Sequence, residues 1–265
     1  MKNHDCTVLV VSCDAYADVV PHFILLWRRF WPDCPFETVL LTESIVCDGF
    51  DRVLAVGKCN DWSPRISMAI EQISTPYLML VLNDYFLSET VDTSLVLHRL
   101  DEAKRFDAIN LRLMPNPPGR KSMAGTDLLE MPKNVSYCIT CQIGIWNRDF
   151  FARLLSRTRS AWEFERLGSF MVGDESRPLL VTKYAEIPFI DAVHKGYWER
   201  SAVEVCERNG IEIDFMARGL PPLRVKLWEF LKRLVFSVLP WTLIVRIQNV
   251  FCSARNEESV RGQGV

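Results

Sequence analysis

The sequence predicts an α/β fold in which helices flank a mostly parallel central sheet, and three observations predict it. Apolar runs at residues 8–11, 39–41 and 78–82 are too short for typical helices and suit strands buried on both faces. Segments with helical apolar spacing alternate with these runs, as in a parallel sheet joined by crossover helices. Two of the runs stop at polar residues, Ser12-Cys13-Asp14 and Asn83-Asp84, and open sheets of this class handle ligands at the carboxyl ends of their strands.

Size and composition bound the function. A chain of 265 residues is long enough for one large domain, or a domain with an appendage, and 49% hydrophobic content provides a core. The net charge of −2 lacks the basic excess of a general nucleic-acid binder. Nine cysteines are an odd, dispersed set, mostly in apolar segments, as expected of reduced thiols in the cytosol. Near the amino end the apolar run 8–11 is brief and no small-residue cleavage site follows it, so no secretory signal is expected.

In order, residues 7–12 read as a first strand ending at Cys13-Asp14-Ala15-Tyr16. A helix with Phe23, Trp27 and Phe30 on one face follows and closes at Pro32. Residues 36–42 and 52–56 are the next strands. Ser63-Pro64 predicts a helix start, with Ser63 as cap, Pro64 at the first turn and Ile66, Ala69, Ile70 and Ile73 as the apolar stripe. Arg65 near that N-terminus is either an anion ligand or a surface arginine.

The helix leads to the 77–82 strand, which stops at Asn83-Asp84. This pair is either a ligand-facing strand end or a plain turn. A helix is expected over 91–106 and a strand over 107–113. Residues 115–125, rich in Pro, Gly, Lys and Arg, read as a long mobile loop of the kind used as a lid or substrate-binding element, or as an insertion without a role.

Residues 137–146 read as a strand leading to Asn147, the cap of a helix over 148–157. Cys138 and Cys141 do not form a zinc knuckle, since their spacing points them to opposite faces of that strand and no second pair exists. Trp162-Glu163-Phe164-Glu165 interleaves two carboxylates with two aromatics ahead of a bend expected at Gly168-Ser169. Apolar neighbours raise a carboxylate's proton affinity towards that of a general base, while acids at a helix N-terminus also simply complement the dipole. His194-Lys195 belongs to a further polar cluster that is either a metal or phosphate site or an exposed turn, and a helix over 199–209 stops at Gly210.

The final segment mixes Arg224, Lys226, Lys232, Arg233 and Arg246 with Trp228 and Trp241. Pro240 interrupts the charge-free run 234–245, which disfavours a membrane span and suits amphipathic helices lying in an anionic membrane surface, or a helical hairpin packed on protein.

Taken together, the strand end Ser12-Cys13-Asp14, the helix carrying Arg65, the strand end Asn83-Asp84-Tyr85-Phe86, the run Gln142-Ile143-Gly144-Ile145-Trp146-Asn147 and the segment Trp162-Glu163-Phe164-Glu165 resemble glycosyltransferases of the GT-A type. The resemblance is nearest to small bacterial enzymes of capsular and O-antigen polysaccharide assembly and covers residues 7–215. It implies a GT-A-like (Rossmann-like) nucleotide-sugar-binding catalytic domain over 1–219, a basic aromatic tail over 220–253 and a disordered end over 254–265. It also implies a nucleotide-sugar donor held by Ser12, Asp14, Tyr16, Arg65, Asn83 and Lys195, and a divalent cation, Mn²⁺ or Mg²⁺, at Asp84 with His194 as a further contact. The catalytic base falls on Glu165 or Glu163, with Glu165 preferred because it lies nearer the expected bend. The implied acceptor is a glycan or lipid-linked saccharide, and the implied location is cytoplasmic, at the inner face of the membrane.

This chain departs from the family at the metal motif, where Asn83-Asp84-Tyr85 offers one acid in place of two, so Arg65, Lys195 and Lys121 become candidate counter-charges for the diphosphate. A nucleotidyltransferase is expected to carry a glycine-rich, lysine-containing loop after its first strand, and Cys13-Asp14-Ala15-Tyr16 has neither residue. No G-x-G-x-x-G follows a strand, which disfavours a dinucleotide oxidoreductase. The alternative from another class is a catalytically silent scaffold at the membrane surface.

Overall fold

Tyr77–Leu82 is the strand at which the central sheet changes direction of growth, and the rest of the fold follows from its position. The computed structural model describes residues 2–133 and 135–222. Residues up to Arg218 form one compact unit, and a second unit begins at Gly219. The expected tail from Leu223 onward lies outside the described residues.

The first half of the chain holds β1 (Asn3–Val11), a single 3-10 turn (Asp14–Tyr16), α1 (Val20–Phe30), β2 (Phe36–Thr42), β3 (Arg52–Ala55), α2 (Trp62–Ile70), β4 (Tyr77–Leu82), β5 (Tyr85–Leu87), α3 (Thr93–Arg105) and β6 (Asn110–Arg112). Then come β7 (Lys121–Ser122), β8 (Leu129–Glu130), β9 (Gly144–Asn147), α4 (Arg148–Leu155), α5 (Ala161–Met171), β10 (Leu179–Val181), β11 (Phe189–Asp191), β12 (Val193–His194), β13 (Tyr197–Trp198) and α6 (Arg200–Arg208).

Among the described residues the main sheet has nine strands in the order β3-β2-β1-β4-β9-β6-β10-β8-β7. It is mixed and mostly parallel, with β8 and β9 running against the others. Strands β1, β2 and β3 build outward in one direction, and the chain then returns to place β4 on the other side of β1. The carboxyl ends of β1 and β4 therefore flank a topological switch point, the place where open sheets of this class form their ligand crevice.

Alternation along each central strand decides which core it feeds. Val8 and Val10 of β1, with Met79 and Val81 of β4, join the layer containing α1, α3 and α6. Leu9 and Val11, with Leu78 and Leu80, join the layer containing α2, α4 and α5. Both faces are thus covered, which is why these runs are apolar without interruption. Aromatic clusters fill the two layers, Phe23, Trp27 and Trp31 on one side and Trp146, Phe151 and Phe164 on the other.

Four expectations change. The α2 cap is Asp61 rather than Ser63, because Ser63 turns inward to Thr158, with Oγ atoms 2.9 Å apart. The expected 137–146 strand shrinks to β9: Tyr137 adopts φ +62° and the following residues loop across the site. The bend at Gly168-Ser169 is absent, and α5 continues to Met171 with Gly168 packed on Ile139. Finally, residues 115–125 are not a free lid. They lead into the β7–β8 hairpin, which extends the main sheet through β10. Asp127 ties that hairpin to the buried Arg99 of α3 by two hydrogen bonds of 2.7 and 2.9 Å.

Candidate functional site at the switch point

The crevice begins where β1 and β4 end side by side. Val11 is in register with Leu82, and one residue on the Asn83 N–H donates to the Val11 carbonyl at 3.2 Å. On the β1 side Ser12 is buried, and Asp14 accepts hydrogen bonds from the Ser44 hydroxyl and from the Ser44 and Ile45 N–H groups. These donors, Ser44 foremost, hold its carboxyl below the usual aspartate range. The Asp14 N–H reaches Glu43 at 3.1 Å, and Glu43 pairs with Arg65 at 3.4 Å. Arg65 is buried, and its Nε has no protein partner.

Tyr16 caps this wall. The Arg218 guanidinium lies 4.8 Å from the centre of its ring and grips Asp18 through bonds of 3.0 and 3.1 Å. Arg218 also donates to the carbonyls of Ala15 and Gly196, tying the first strand's exit to a late hairpin.

On the β4 side Asn83 is buried with its side-chain nitrogen unpartnered, and Asp84 follows. Burial raises the Asp84 carboxyl to about 6, with neighbouring Asp191 adding to the effect and Arg218 opposing it. Asp191 arrives because β5 pairs antiparallel with β11, which sets Asp191 opposite Tyr85, while the Ala192 N–H donates to the Asp84 carbonyl at 2.7 Å. Burial raises the Asp191 carboxyl, against the charge of His194, which is exposed on the adjacent β12–β13 hairpin. The hairpin turns through Lys195 and Gly196, both at positive φ (51° and 82°), the conformation a two-residue turn of this hand requires. Lys195 thus sits at a hairpin tip. Among the described residues, no three His, Cys, Asp or Glu side chains are grouped so as to hold a metal ion.

The third wall is α5. Its cap Ser160 accepts from the Glu163 N–H at 3.2 Å, and the Glu163 carboxylate accepts from the Arg159 N–H at 2.8 Å, so Glu163 is engaged in capping. Glu165 faces inward instead. Its Oε1 accepts the Cys141 N–H at 2.8 Å, and one turn later Ser169 Oγ accepts the Ile139 N–H at 3.0 Å. Burial raises the Glu165 carboxyl, against the Cys141 hydrogen bond and the charge of Arg112. Between this wall and Asp84 stands Tyr85, whose hydroxyl burial holds far from ionisation, reinforced by Asp84, Cys141, Asp191 and Glu165. Asp84, Asp191 and Glu165 thus all act electrostatically on Tyr85. Two surface hollows of about 300 Å³ each, one along Arg120–Lys133 and one beside α4, include none of these residues.

Neither a protein-family model nor a curated protein matches the chain. Among solved structures it is similar to a cytidylyltransferase from Leptospira borgpetersenii serovar Hardjo-bovis, with TM-score 0.44 and 11% identity over 78% of this chain and 96% of that one. It is also similar to S. aureus TarS 1-349 in complex with UDP-GlcNAc, with TM-score 0.43 and 12% identity over 71% of this chain and 57% of that one. The chain thus spans nearly all of the first and little more than half of the second.

Of the residues singled out in the sequence, Ser12, Asp14, Tyr16, Asn83 and Asp84 follow the ends of β1 and β4, Arg65 is joined to Asp14 through Glu43, and Glu165 lies on α5 against the Cys141 N–H. Glu163 is engaged in the α5 cap, and His194 lies on the hairpin that follows β11. Sequence reasoning missed Glu43, Tyr85, Arg112, Asp191 and Arg218. Asp191 had a signal, since Phe-Ile-Asp repeats the apolar-run-then-acid pattern that drew attention to Asp84. Chemically, the β1 side carries polar groups and a buried arginine, and the β4 and α5 sides carry carboxylates whose proton affinity burial raises.

Proposed function

We propose that the chain is a glycosyltransferase that moves a sugar from a nucleotide-sugar donor to a hydroxyl of a glycan or lipid-linked acceptor in cell-surface polysaccharide assembly. The observation that carries this reading is that β1 and β4 end side by side at the switch point of the sheet, with the buried carboxylate of Asp84 at that end.

In this reading the base and ribose lie against Ser12, Asp14 and Tyr16, and the diphosphate lies towards Asn83 and Asp84. Glu165 accepts the acceptor's hydroxyl proton as its oxygen bonds to the anomeric carbon. The bond from that carbon to the donor's phosphate oxygen breaks, and the nucleoside diphosphate leaves with the electron pair.

A divalent cation is proposed on the Asp84 side, where burial, with the charge of Asp191 adding to it, raises the proton affinity of a carboxylate at a strand end. Asp84 would hold it together with donor phosphate oxygens and water, since among the described residues no three His, Cys, Asp or Glu side chains are grouped as a metal site. Mg²⁺ or Mn²⁺ bound there supplies positive charge to the departing diphosphate. The tail from Leu223 is proposed to rest on an anionic membrane surface at the cytoplasmic face.

The test is a thermal-shift panel of nucleoside diphosphates with Mn²⁺ or Mg²⁺, followed by product analysis. Stabilisation by one nucleoside diphosphate, and its release from the matching nucleotide sugar, is expected. Pyrophosphate release from a nucleoside triphosphate would make the chain a nucleotidyltransferase, and no stabilisation by any nucleotide would leave the scaffold reading.

A further inference from the structure

Arg112 ends β6 and is 3% exposed, yet among the described residues it forms no ion pair. Its guanidinium donates only to neutral oxygens, Thr140 Oγ1 at 3.2 Å and the Pro117 carbonyl at 2.7 Å, and its Nε has no protein partner. A buried arginine without a carboxylate is costly, and burial pulls its proton affinity down to about 10, which still leaves it charged at neutral pH. Its charge is felt by the Cys138 thiol and by Glu165, the one carboxylate it acts on among the described residues, and with Glu165 the coupling is mutual. The two side chains also hold consecutive residues of one loop, Arg112 binding Thr140 and Glu165 binding the N–H of Cys141.

We infer that Arg112 is a positioning residue for Glu165: it fixes the Thr140-Cys141 segment against which that carboxylate is seated, and it supplies the positive charge facing it. The inference rests on the reading of Glu165 as the base. Other groups facing Glu165 do not supply that charge. The 138–141 loop presents the Cys141 thiol and β5 presents Tyr85, with the acids Asp84 and Asp191 beyond it. The α2 side presents Trp62 against Phe164, and Arg159 is tied to Asp61 and bonded to Glu163.

The experiment follows the Glu165 side-chain carboxyl by carbon-13 NMR across pH, assigned with Glu165→Gln, in the full chain and in Arg112→Met, Arg112→Lys and Thr140→Val. Nucleoside diphosphate release is measured over the same range. Removing the cation disfavours the ionised carboxylate, so Arg112→Met is expected to raise the Glu165 midpoint by about one pH unit. The acid limb of kcat should move with it, while donor KM stays within about twofold. Arg112→Lys keeps the charge and leaves the midpoint close to that of the unmutated chain. Thr140→Val keeps the charge and loosens the loop, lowering kcat without moving the limb.

An unmoved midpoint in Arg112→Met overturns the inference, as does a full-unit rise in Arg112→Lys, whichever of the two variants folds. A shifted midpoint in a protein that transfers no sugar sustains the coupling and removes the transferase reading. A fixed midpoint in an active enzyme does the reverse.

Discussion

Asp84→Asn is expected to stabilise the protein at neutral pH, and the size of the gain follows from the carboxyl's surroundings. The folded chain raises Asp84 from 3.8 to about 6, chiefly by burial. A folded pKa above the unfolded one means that the native state binds the proton more tightly, so stability falls as pH rises from about 3.8 through 6 and is level above that. At about 1.4 kcal/mol per pH unit, the ionised carboxylate costs the native state up to about 3 kcal/mol at pH 7. Asparagine keeps the shape and removes the charge. For a domain of this size the gain corresponds to a rise in Tm of roughly 6–12 °C. The measurement is thermal unfolding by circular dichroism between pH 4 and 8 in a chelating buffer. The difference between variant and parent should nearly vanish at pH 4 and reach its full value by pH 7. A gain of equal size at both ends of the range, or none at pH 7, would refute burial of a charged Asp84 as the cause. With Mn²⁺ in place of chelator the order should reverse, because the parent would gain a ligand that the variant binds poorly.

Other perturbations separate the roles assigned above. Glu165→Gln should lower kcat by about 10²–10⁴ without loss of Tm, whereas Glu163→Ala should leave kcat within a few-fold and cost about 1 kcal/mol of stability by opening the α5 cap; steady-state assays and melts on both variants check this, and the opposite ranking would exchange the two assignments. Gly144→Ala should destabilise by about 1–3 kcal/mol in denaturant titration, since its new Cβ would lie 3.1 Å from Arg112 Cα and from the Leu111 carbonyl, backbone atoms fixed by the β6–β9 ladder. Asn147→Ala should cost about 1 kcal/mol by the same assay, because its Oδ1 is the 3.0 Å acceptor for the Phe150 N–H at the start of α4.

The central layer of the fold was legible because its strands are buried on both sides and therefore read as apolar runs. β1, β2 and β4 fall where those runs predict, and the α4 cap at Asn147 shows the expected side-chain bond. The peripheral strands lacked that signal. β7 and β8 have two residues each and are at most half-buried, so neither an apolar run nor a clean alternation marks them. Residues 137–143 misled for a related reason. They are apolar because Cys138, Ile139 and Cys141 are buried, but α5 side chains rather than a neighbouring strand satisfy their backbone N–H groups at Ile139 and Cys141. Burial was readable from residue type, whereas the hydrogen-bond partner was not.

The site divides along the same line. Groups carried at the ends of long central strands, Ser12-Asp14 and Asn83-Asp84, could be found by locating the strands. Groups brought in by tertiary pairing could not: Asp191 depends on the β5–β11 ladder, and Arg218 on its grip on Asp18 at the other end of the unit. The choice between Glu163 and Glu165 is the instructive case. An expected bend at Gly168-Ser169 favoured Glu165, and no bend exists. What separates the two acids is the interval Ser160-x-x-Glu163, a capping box written in the sequence, which commits Glu163 to the helix start. Once that commitment is made, helical geometry turns a residue two positions later by about 200°, so Glu165 must face elsewhere on α5, and the burial of Phe164 and Ser169 shows that this face meets the core. A carboxylate driven into that environment is the one whose proton affinity rises, so the cap register and the burial of that face together account for the shift at Glu165.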